Sequence, residues 1–286
     1  MREAGKYNTI DISSTEKTSI RFLYKTVPGR ILLTLLVRTT VSKLAGLFLR
    51  SPASRFYIKR FIKQNNIDME EYRSVTYKSF DDFFTRELKY GSRSISEEKN
   101  DVIAPCDAKL SAYPITPDCV FDIKRSKYSI NELLKDNDLA REFSDGICLI
   151  FRLTPDDYHR YIFIDDGEIL SQKRIKGVLH TVQPIAYQNI SVFHRNTREY
   201  TVMKTENFGK IVQMEVGALF VGRISNHGKN HTIKRGEEKG MFQFGGSTII
   251  MLFSNSTVTI DNEIFENTRN NKETIVKMGD IIGERG

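Results

Sequence analysis

The sequence lacks tryptophan, and its three cysteines, Cys106, Cys119 and Cys148, form no CxxC pair. An odd cysteine count without metal-ligand spacing argues against a disulfide framework and favours a reducing compartment. The polar N-terminus has no apolar core of the kind that a signal peptide needs. The longest early apolar run, ILLTLLV at residues 31–37, is far shorter than the roughly 20 residues that span a bilayer. We therefore expect no transmembrane helix.

Acidic residues are absent from residues 17–67, which hold 11 lysines and arginines in a chain whose net charge is +7. Apolar residues recur there at helical spacing, and Pro28 and Pro52 interrupt the pattern, so we expect two or three helices. Basic amphipathic helices suit an anionic lipid surface. The alternative is a helical layer packed on the protein's own core, with a solvated basic face. Nucleic acid is not an expected partner, because no recognition-helix or RNA-binding motif accompanies the charge.

The rest of the chain has no βαβ alternation and no Rossmann or P-loop glycine pattern. It consists mainly of short runs of strand-forming residues separated by Gly, Asn or Asp. A short helix is expected at 79–89 and another at 129–142, the second with Ser129 as its N-cap and Glu132 three residues later. The predicted fold class is α+β, with basic amphipathic N-terminal helices followed by a β-rich domain of antiparallel sheets.

Composition also divides the chain of 286 residues into three parts. We expect a polar tail at 1–16, a helical membrane-associating segment at 17–90 and the β-rich domain at 91–286. No internal repeat or low-complexity tract interrupts this division.

The stretch FGGSTIIMLF, residues 244–253, places Gly245, Gly246 and Ser247 directly before strand-forming residues. By itself it predicts a turn that enters a buried strand. Other blocks in the chain change that interpretation. They are FDDFFTRELK (80–89), VIAPCDAKLSAY (102–113), RLTPDDYHRYIFIDDGEI (152–169), NTREYTVMKTENFG (196–209), MEVGALFVGRI (214–224) and KRGEEKGMFQFGGSTIIMLF (234–253). Together, in this order and spacing, they resemble the phosphatidylserine decarboxylase family, and the FGGST version resembles its clostridial type.

The resemblance implies that the chain cuts itself between Gly246 and Ser247. Ser247 Oγ would attack the preceding carbonyl, and glycine would tolerate the distorted backbone that this attack needs. The products would be a β chain of residues 1–246 and an α chain of residues 247–286. Elimination and hydrolysis would leave a covalent pyruvoyl group in place of Ser247. Its carbonyl would accept the electron pair released with CO2, so the resemblance implies neither a metal nor pyridoxal phosphate.

The resemblance also implies roles for other residues. Asp107 matches the family's charge-relay aspartate, although Ala108 stands where the family usually has glycine. From the residues alone, an Asp that makes a local turn hydrogen bond is the favoured interpretation of Asp107. His159, in DYHR, matches the first of two family histidines and is associated with proton donation in decarboxylation. The neighbours Asp157, Tyr158 and Arg160 are expected to orient it.

The second family histidine falls at position 162, where this chain has Ile162. Isoleucine cannot accept the hydroxyl proton, so another base is needed for maturation. His159 is one candidate and His180 is another; His194 is a weaker candidate, whereas His227 and His231 are expected in loops. The residues alone leave this choice open.

Three functions remain at this stage. The first is a self-processing decarboxylase that converts phosphatidylserine to phosphatidylethanolamine, peripheral on the cytoplasmic side of the cell membrane. The second is an unprocessed, non-catalytic relative that binds an anionic lipid. The third is a pyruvoyl decarboxylase for another serine-headgroup lipid. The expected partners are phosphatidylserine and an anionic membrane surface, and a homodimer is an open alternative.

Overall fold

The structure, a computed structural model, describes residues 6–12, 18–37, 39–123, 126–187, 192–218, 223–227, 231–244 and 247–286. In these ranges a helical N-terminal layer accompanies a larger body of antiparallel strands. The predicted α+β fold class is confirmed.

The basic N-terminal segment forms α1 (Thr18–Lys25), α2 (Val27–Leu36), α3 (Thr39–Leu49) and α4 (Phe56–Asn65). The expectation of two or three helices is wrong in number. Pro28 does not break the segment, because it lies in the first turn of α2, where a missing N–H costs nothing. The break falls instead at Thr26, whose Oγ1 accepts a hydrogen bond from Gly29 N at 3.1 Å and so caps α2.

These helices have apolar residues on two sides. Leu33 and Val37 are buried against the strand body, together with Tyr24 of α1. Ile31 and Leu32 are 66% and 45% exposed. The helical layer therefore packs on the core and still presents an apolar surface to the outside. Among the described helices, none has the length and apolar character that crossing a membrane requires.

The strands in chain order are β1 (Thr9–Asp11), β2 (Asp101–Ile103), β3 (Ala108–Pro114), β4 (Val120–Ile123), β5 (Ser126–Ser129), β6 (Ile147–Leu153), β7 (Arg160–Ile162), β8 (Gly167–Ile175), β9 (Arg198–Thr205), β10 (Gly209–Val216), β11 (Ile224–Asn226), β12 (Thr232–Ile233), β13 (Glu238–Phe242), β14 (Ser247–Phe253), β15 (Val258–Ile260), β16 (Lys272–Val276) and β17 (Ile281–Arg285). Within the described residues, nine of them form one antiparallel sheet in the order β1-β16-β3-β6-β14-β10-β9-β8-β12. Two small sheets, β11-β13-β7 and β15-β17-β2, and the hairpin β4-β5 complete the strand body.

Strand β14 lies in the middle of the large sheet, between β6 and β10. All seven of its residues are buried. Ile249, Met251 and Phe253 belong to one core cluster, whereas Ile250 and Leu252 belong to the other. This alternation places Ser247, the first residue of β14, on the same face as Ile249.

Short helices connect the strands: α5 (Phe80–Phe84), α6 (Ile130–Leu134), α7 (Asn137–Arg141), α8 (Pro184–Tyr187), α9 (Val192–Arg195) and α10 (Asn262–Arg269). The helix expected at 79–89 ends at Phe84, because Leu88 forms a β-bridge with Tyr72. The single helix expected at 129–142 is wrong. Ser129 does cap the first part, but Lys135 is left-handed (φ 52°) and Asp136 caps a second helix.

Candidate active site

Ser247 is fully buried at the first position of β14. It pairs with Leu153 of β6, and the next residue, Thr248, pairs with Val216 of β10. Its Oγ makes no hydrogen bond with any described residue. The hydroxyl is therefore desolvated and not engaged by a competing partner. Gly246, on the other side of the predicted cleavage bond, lies outside the described residues.

His159 is a buried histidine beside the segment that leads to Ser247. Its carbonyl oxygen accepts a hydrogen bond from Phe242 N at 2.9 Å. Phe84 contacts both the His159 ring and the Phe244 ring, with centroids 4.1 and 5.1 Å apart. The structure thus links the first histidine of the DYHR block to Phe242 directly and to Phe244 through Phe84, in the segment that precedes Ser247 in sequence.

A main-chain carbonyl fixes the tautomer of His159. Nδ1 lies 2.8 Å from Asp157 O, and a carbonyl only accepts, so Nδ1 carries the hydrogen. In the neutral ring the lone pair that can accept a proton then lies on Nε2. Of the expected orienting residues, Asp157 thus acts through its backbone. Arg160 instead bonds Glu238 and the carbonyl of Thr85.

The Asp157 carboxylate holds the turn that presents this carbonyl. It accepts hydrogen bonds from Thr154 N at 2.6 Å, from Thr154 Oγ1 at 2.9 Å and from Lys109 Nζ at 2.7 Å. Burial raises the pKa of Asp157, and the ammonium of Lys109 opposes that rise. Lys109 therefore helps to keep the turn, and with it His159, in place.

Ile162 is buried next to the turn that contains Asp107. Its N–H donates to Pro105 O at 3.0 Å. A histidine at this position would lie close to the Asp107 turn, as the family relay implies. The isoleucine side chain instead belongs to the apolar core cluster that contains Cys106 and Ala108.

Asp107 is bound by an arginine. Arg93 Nη2 lies 2.9 Å from Oδ2 and Arg93 Nε lies 3.4 Å from Oδ1, while Met278 N donates to Oδ1 at 2.8 Å. Glu71 accepts a further bond from Arg93 at 2.9 Å. These carboxylates raise the pKa of Arg93, despite its partial burial. The role of Asp107 as a relay group remains a prediction.

His180 is connected to the end of β10 through the side chain of Asn196. Its ring Nδ1 is 3.2 Å from the hydroxyl of Tyr24, and its backbone N–H donates to Asn196 Oδ1 at 2.9 Å. Asn196 Nδ2 donates to the carbonyl of Gly217, which directly follows β10. Burial lowers the pKa of His180. These contacts of His180 are thus with Tyr24 and Asn196, and none of them involves Ser247.

His194 and the two loop histidines lie elsewhere. His194 Nδ1 is 2.8 Å from Glu132, and burial lowers the pKa of His194 to about 4. His227 bonds Glu238 at 2.6 Å, and His231 is exposed. His159 bonds Phe242 at the end of β13, whereas His227 bonds Glu238 at its beginning, farther in sequence from Ser247.

A buried ion pair that the sequence interpretation missed lies near Ser247. Lys239 Nζ is 2.8 Å from Glu215 Oε1 and 3.2 Å from Asn226 Oδ1. Asn226 Nδ2 donates to Glu215 Oε2 at 3.1 Å, and the Tyr161 hydroxyl donates to Asn226 Oδ1 at 2.9 Å. Burial raises the pKa of Glu215, and Lys239 opposes that rise.

The sequence does contain a signal for this pair. In KIVQMEV, Gln213 and Glu215 alternate with apolar residues along β10, so two polar side chains share one face of a buried strand. Glu215 pairs with Ile249, which places it on the same sheet face as Ser247. Polar side chains on one face of a buried strand indicate that they have hydrogen-bond or ionic partners, but the sequence does not identify Lys239 as the partner of Glu215.

An apolar groove of about 630 Å³ opens on the other side of the segment before Ser247. Helices α3, α4 and α5 contribute most of its lining, and Phe244 forms part of its wall. Prominent lining residues are Phe48, Tyr57, Arg60, Phe61, Phe80 and Phe244. The helices α3 and α4 that line the groove also expose Leu44, Leu47 and Phe56.

No cluster of three His, Cys, Asp or Glu side chains within the described ranges could hold a metal ion.

Comparisons with a family model and with curated proteins match this chain to the same family. Residues 80–284 match the family model described as phosphatidylserine decarboxylase.

Curated relatives extend the match over nearly the whole chain. Phosphatidylserine decarboxylase proenzyme 2 of Clostridium acetobutylicum is 50% identical over 266 residues, covering 93% of this chain and 91% of the relative. The phosphatidylserine decarboxylase proenzyme of Clostridium botulinum is 44% identical, covering 85% and 84%. That of Fusobacterium nucleatum is 40% identical, covering 99% and 95%.

Proposed function

Because the chain belongs to the phosphatidylserine decarboxylase family, we propose that it cuts itself before Ser247 and then converts phosphatidylserine to phosphatidylethanolamine and CO2. It is a carboxy-lyase made as a proenzyme. The observation that best supports the proposal is the position of Ser247: a desolvated hydroxyl at the start of the central strand, shortly after Phe242, whose N–H donates to the carbonyl of His159.

Self-cleavage begins with a proton transfer from Ser247. As Oγ bonds to the Gly246 carbonyl carbon, its proton passes to Nε2 of His159, and the C–N bond of the peptide breaks. The amino nitrogen of Ser247 takes up a proton, so the amide becomes an ester with no net change in protons. His159 fits this role because Asp157 O occupies Nδ1 and leaves Nε2 basic.

Elimination then separates the two chains. The α-proton of residue 247 leaves, the bond between Cβ and Oγ breaks, and Gly246 retains the oxygen as a C-terminal carboxylate. Water replaces the nitrogen of the dehydroalanine, which departs as ammonia, and leaves a pyruvoyl group. A serine is needed at this position because the leaving oxygen must be attached to Cβ. The chain meets that requirement at Ser247.

The pyruvoyl group formed from Ser247 would supply a carbonyl able to bind the substrate amine and accept the electron pair released with CO2. His159, protonated, then returns a proton to the substrate carbon. Phe84 packs on the imidazole and restricts it to this location. Lys109 and Asp157 hold the turn that fixes its orientation.

The enzyme acts at an anionic membrane surface, peripheral on the cytoplasmic side. Apolar side chains of the N-terminal helices are exposed in a segment that contains 11 basic residues and no acid. Such a surface combines apolar insertion with attraction to anionic lipid. The three free, buried cysteines fit a reducing compartment.

Mass spectrometry of the purified protein tests the proposal. Wild type should give two chains, residues 1–246 and 247–286, with the second blocked to Edman degradation. Ser247→Ala should stay at full length and release no CO2 from phosphatidylserine. An uncut wild-type chain, or a Ser247→Ala chain split at the same bond, would overturn the assignment.

A further inference from the structure

The three residues that precede the glycine pair are each held through a backbone N–H. Phe242 N donates to His159 O at 2.9 Å, and Gln243 N donates to Arg223 O at 3.1 Å. Phe244 N donates to the carboxylate of Asp81, with Oδ1 at 3.3 Å. The last of these contacts differs from the other two, because a side chain supplies the acceptor.

Helix α5 holds Phe244 by its ring as well. The Phe244 ring lies 5.1 Å from that of Phe80 in an edge-on arrangement, and 5.1 Å from that of Phe84. Phe80 and Phe84 are themselves buried. Helix α5 therefore fixes both parts of Phe244: Asp81 holds its backbone N–H, and Phe80 and Phe84 pack against its ring.

Asp81 is suited to a lasting contact of this kind. It lies in the first turn of α5, where a carboxylate is favoured by the helix dipole. Burial raises its pKa, whereas the hydrogen bond from Phe244 and the charges of Arg50 and Arg223 lower it. The carboxylate thus receives the N–H of Phe244 in a partly desolvated place.

Only Gly245 and Gly246 separate this contact from Ser247. Ser247 is fixed from the other side by its pairing with Leu153. With consecutive Cα atoms about 3.8 Å apart, three peptide units must join two fixed points. Asp81 and Leu153 therefore hold the chain on the two sides of the peptide bond that Ser247 Oγ must attack.

We propose that Asp81 is a positioning residue for self-cleavage: by holding Phe244 N it fixes the start of the short segment that leads to the bond before Ser247. The proposal rests on the proposed function, because it concerns the rate of that cleavage. Approach geometry has a large effect on such a reaction, and a displacement of about 1 Å can cost about 100-fold in rate.

Three variants separate positioning from folding. Asp81→Leu removes the acceptor, whereas Asp81→Asn keeps an Oδ1 that can accept from Phe244 N. Asp82→Leu is the matched control, because Asp82 also lies in the first turn of α5 but accepts from Lys78 N at 2.8 Å. Cleavage is followed on a denaturing gel after a pulse of cell-free synthesis, and the melting temperature is measured for each uncut Ser247→Ala counterpart.

With wild type cut at 246/247, Asp81→Leu should cleave about 10-fold or more slowly, and Asp81→Asn should cleave within about threefold of wild type. Asp82→Leu should cleave at the wild-type rate at a similar melting temperature. If Asp81→Leu cleaves at the wild-type rate, the proposal for Asp81 is wrong, whereas the proposed function is unaffected. Equal slowing in Asp81→Leu and Asp82→Leu, in step with melting temperature, would also overturn it. An uncut wild type would overturn the proposed function first.

Discussion

Arg93 holds Asp107 through two nitrogens, with Nη2 2.9 Å from Oδ2 and Nε 3.4 Å from Oδ1. A carboxylate that the resemblance assigns to a histidine relay is thus bonded to a guanidinium. Met278 N occupies Oδ1 as well. Together with Ile162, this arrangement favours a structural role for Asp107, as the anchor of its turn.

Asp107→Asn should therefore affect stability more than cleavage. Loss of the charge-assisted bonds to Arg93 should lower the free energy of unfolding by about 1–3 kcal/mol. Urea unfolding of the Ser247→Ala form measures this, with Asp118→Asn, an exposed carboxylate, as control. A large loss of cleavage rate at unchanged stability would restore Asp107 to the relay.

His159→Ala should slow self-cleavage by about 10²–10⁴-fold, the usual contribution of a positioned base. Ile162→His should change cleavage little or accelerate it, because it adds a base next to the Asp107 turn. His231→Ala, at an exposed loop position, is the control. A cleavage time course decides between them. If His159→Ala matures normally but does not decarboxylate, the maturation base is another group, and His180→Ala is the next variant.

Lys239→Met should destabilise the fold strongly, because it leaves the carboxylate of Glu215 buried without its cation. Removal of one partner of a buried ion pair costs about 3–5 kcal/mol. The double variant Lys239→Met, Glu215→Gln should recover part of the lost free energy of unfolding, because a neutral amide then replaces the buried carboxylate. Lys234→Met is the matched control: this exposed lysine lies 3.5 Å from Asp166 and should contribute about 0–1 kcal/mol. Equal unfolding midpoints in urea for the two lysine variants would contradict the argument.

The N-terminal helices should bind anionic vesicles more tightly than neutral ones, and high salt should weaken the difference. Leu44 and Ile31 are 63% and 66% exposed, so Leu44→Glu and Ile31→Glu should each weaken binding about 10-fold or more. Val75→Glu alters an equally exposed apolar residue outside these helices and should have no effect. Vesicle co-sedimentation is the measurement. Equal binding to both lipids at low salt would contradict the electrostatic part.

Local patterns predicted much of this molecule. The run STIIMLF predicted a buried strand, and Ser129 predicted a helix start; both are present. Where prediction failed, the cause was usually a contact between distant residues. The bridge of Leu88 to Tyr72 ends α5 early, and a left-handed Lys135 divides a helix that periodicity alone would continue.

The candidate site shows the same division. Ser247 and His159 were predicted from motifs, because the chemistry needs those residue types, and their roles remain predictions. The contact of Asp81 with Phe244 spans 163 positions, and that of Glu215 with Lys239 spans 24. No short-range pattern specifies such pairs, since they depend on how α5 and β13 pack on other elements.

The central position of β14 has a consequence for the lifetime of the mature enzyme. Its residues pair with β6 on one side and β10 on the other. A cut before Ser247 would therefore leave the first strand of the new small chain paired between two strands of the large chain. Folding of the precursor is a reaction of one molecule. Reassembly after denaturation would instead require two chains to meet, at a rate that depends on their concentration. Each precursor would then fold once as a single chain, and the enzyme would be renewed by synthesis and not by refolding.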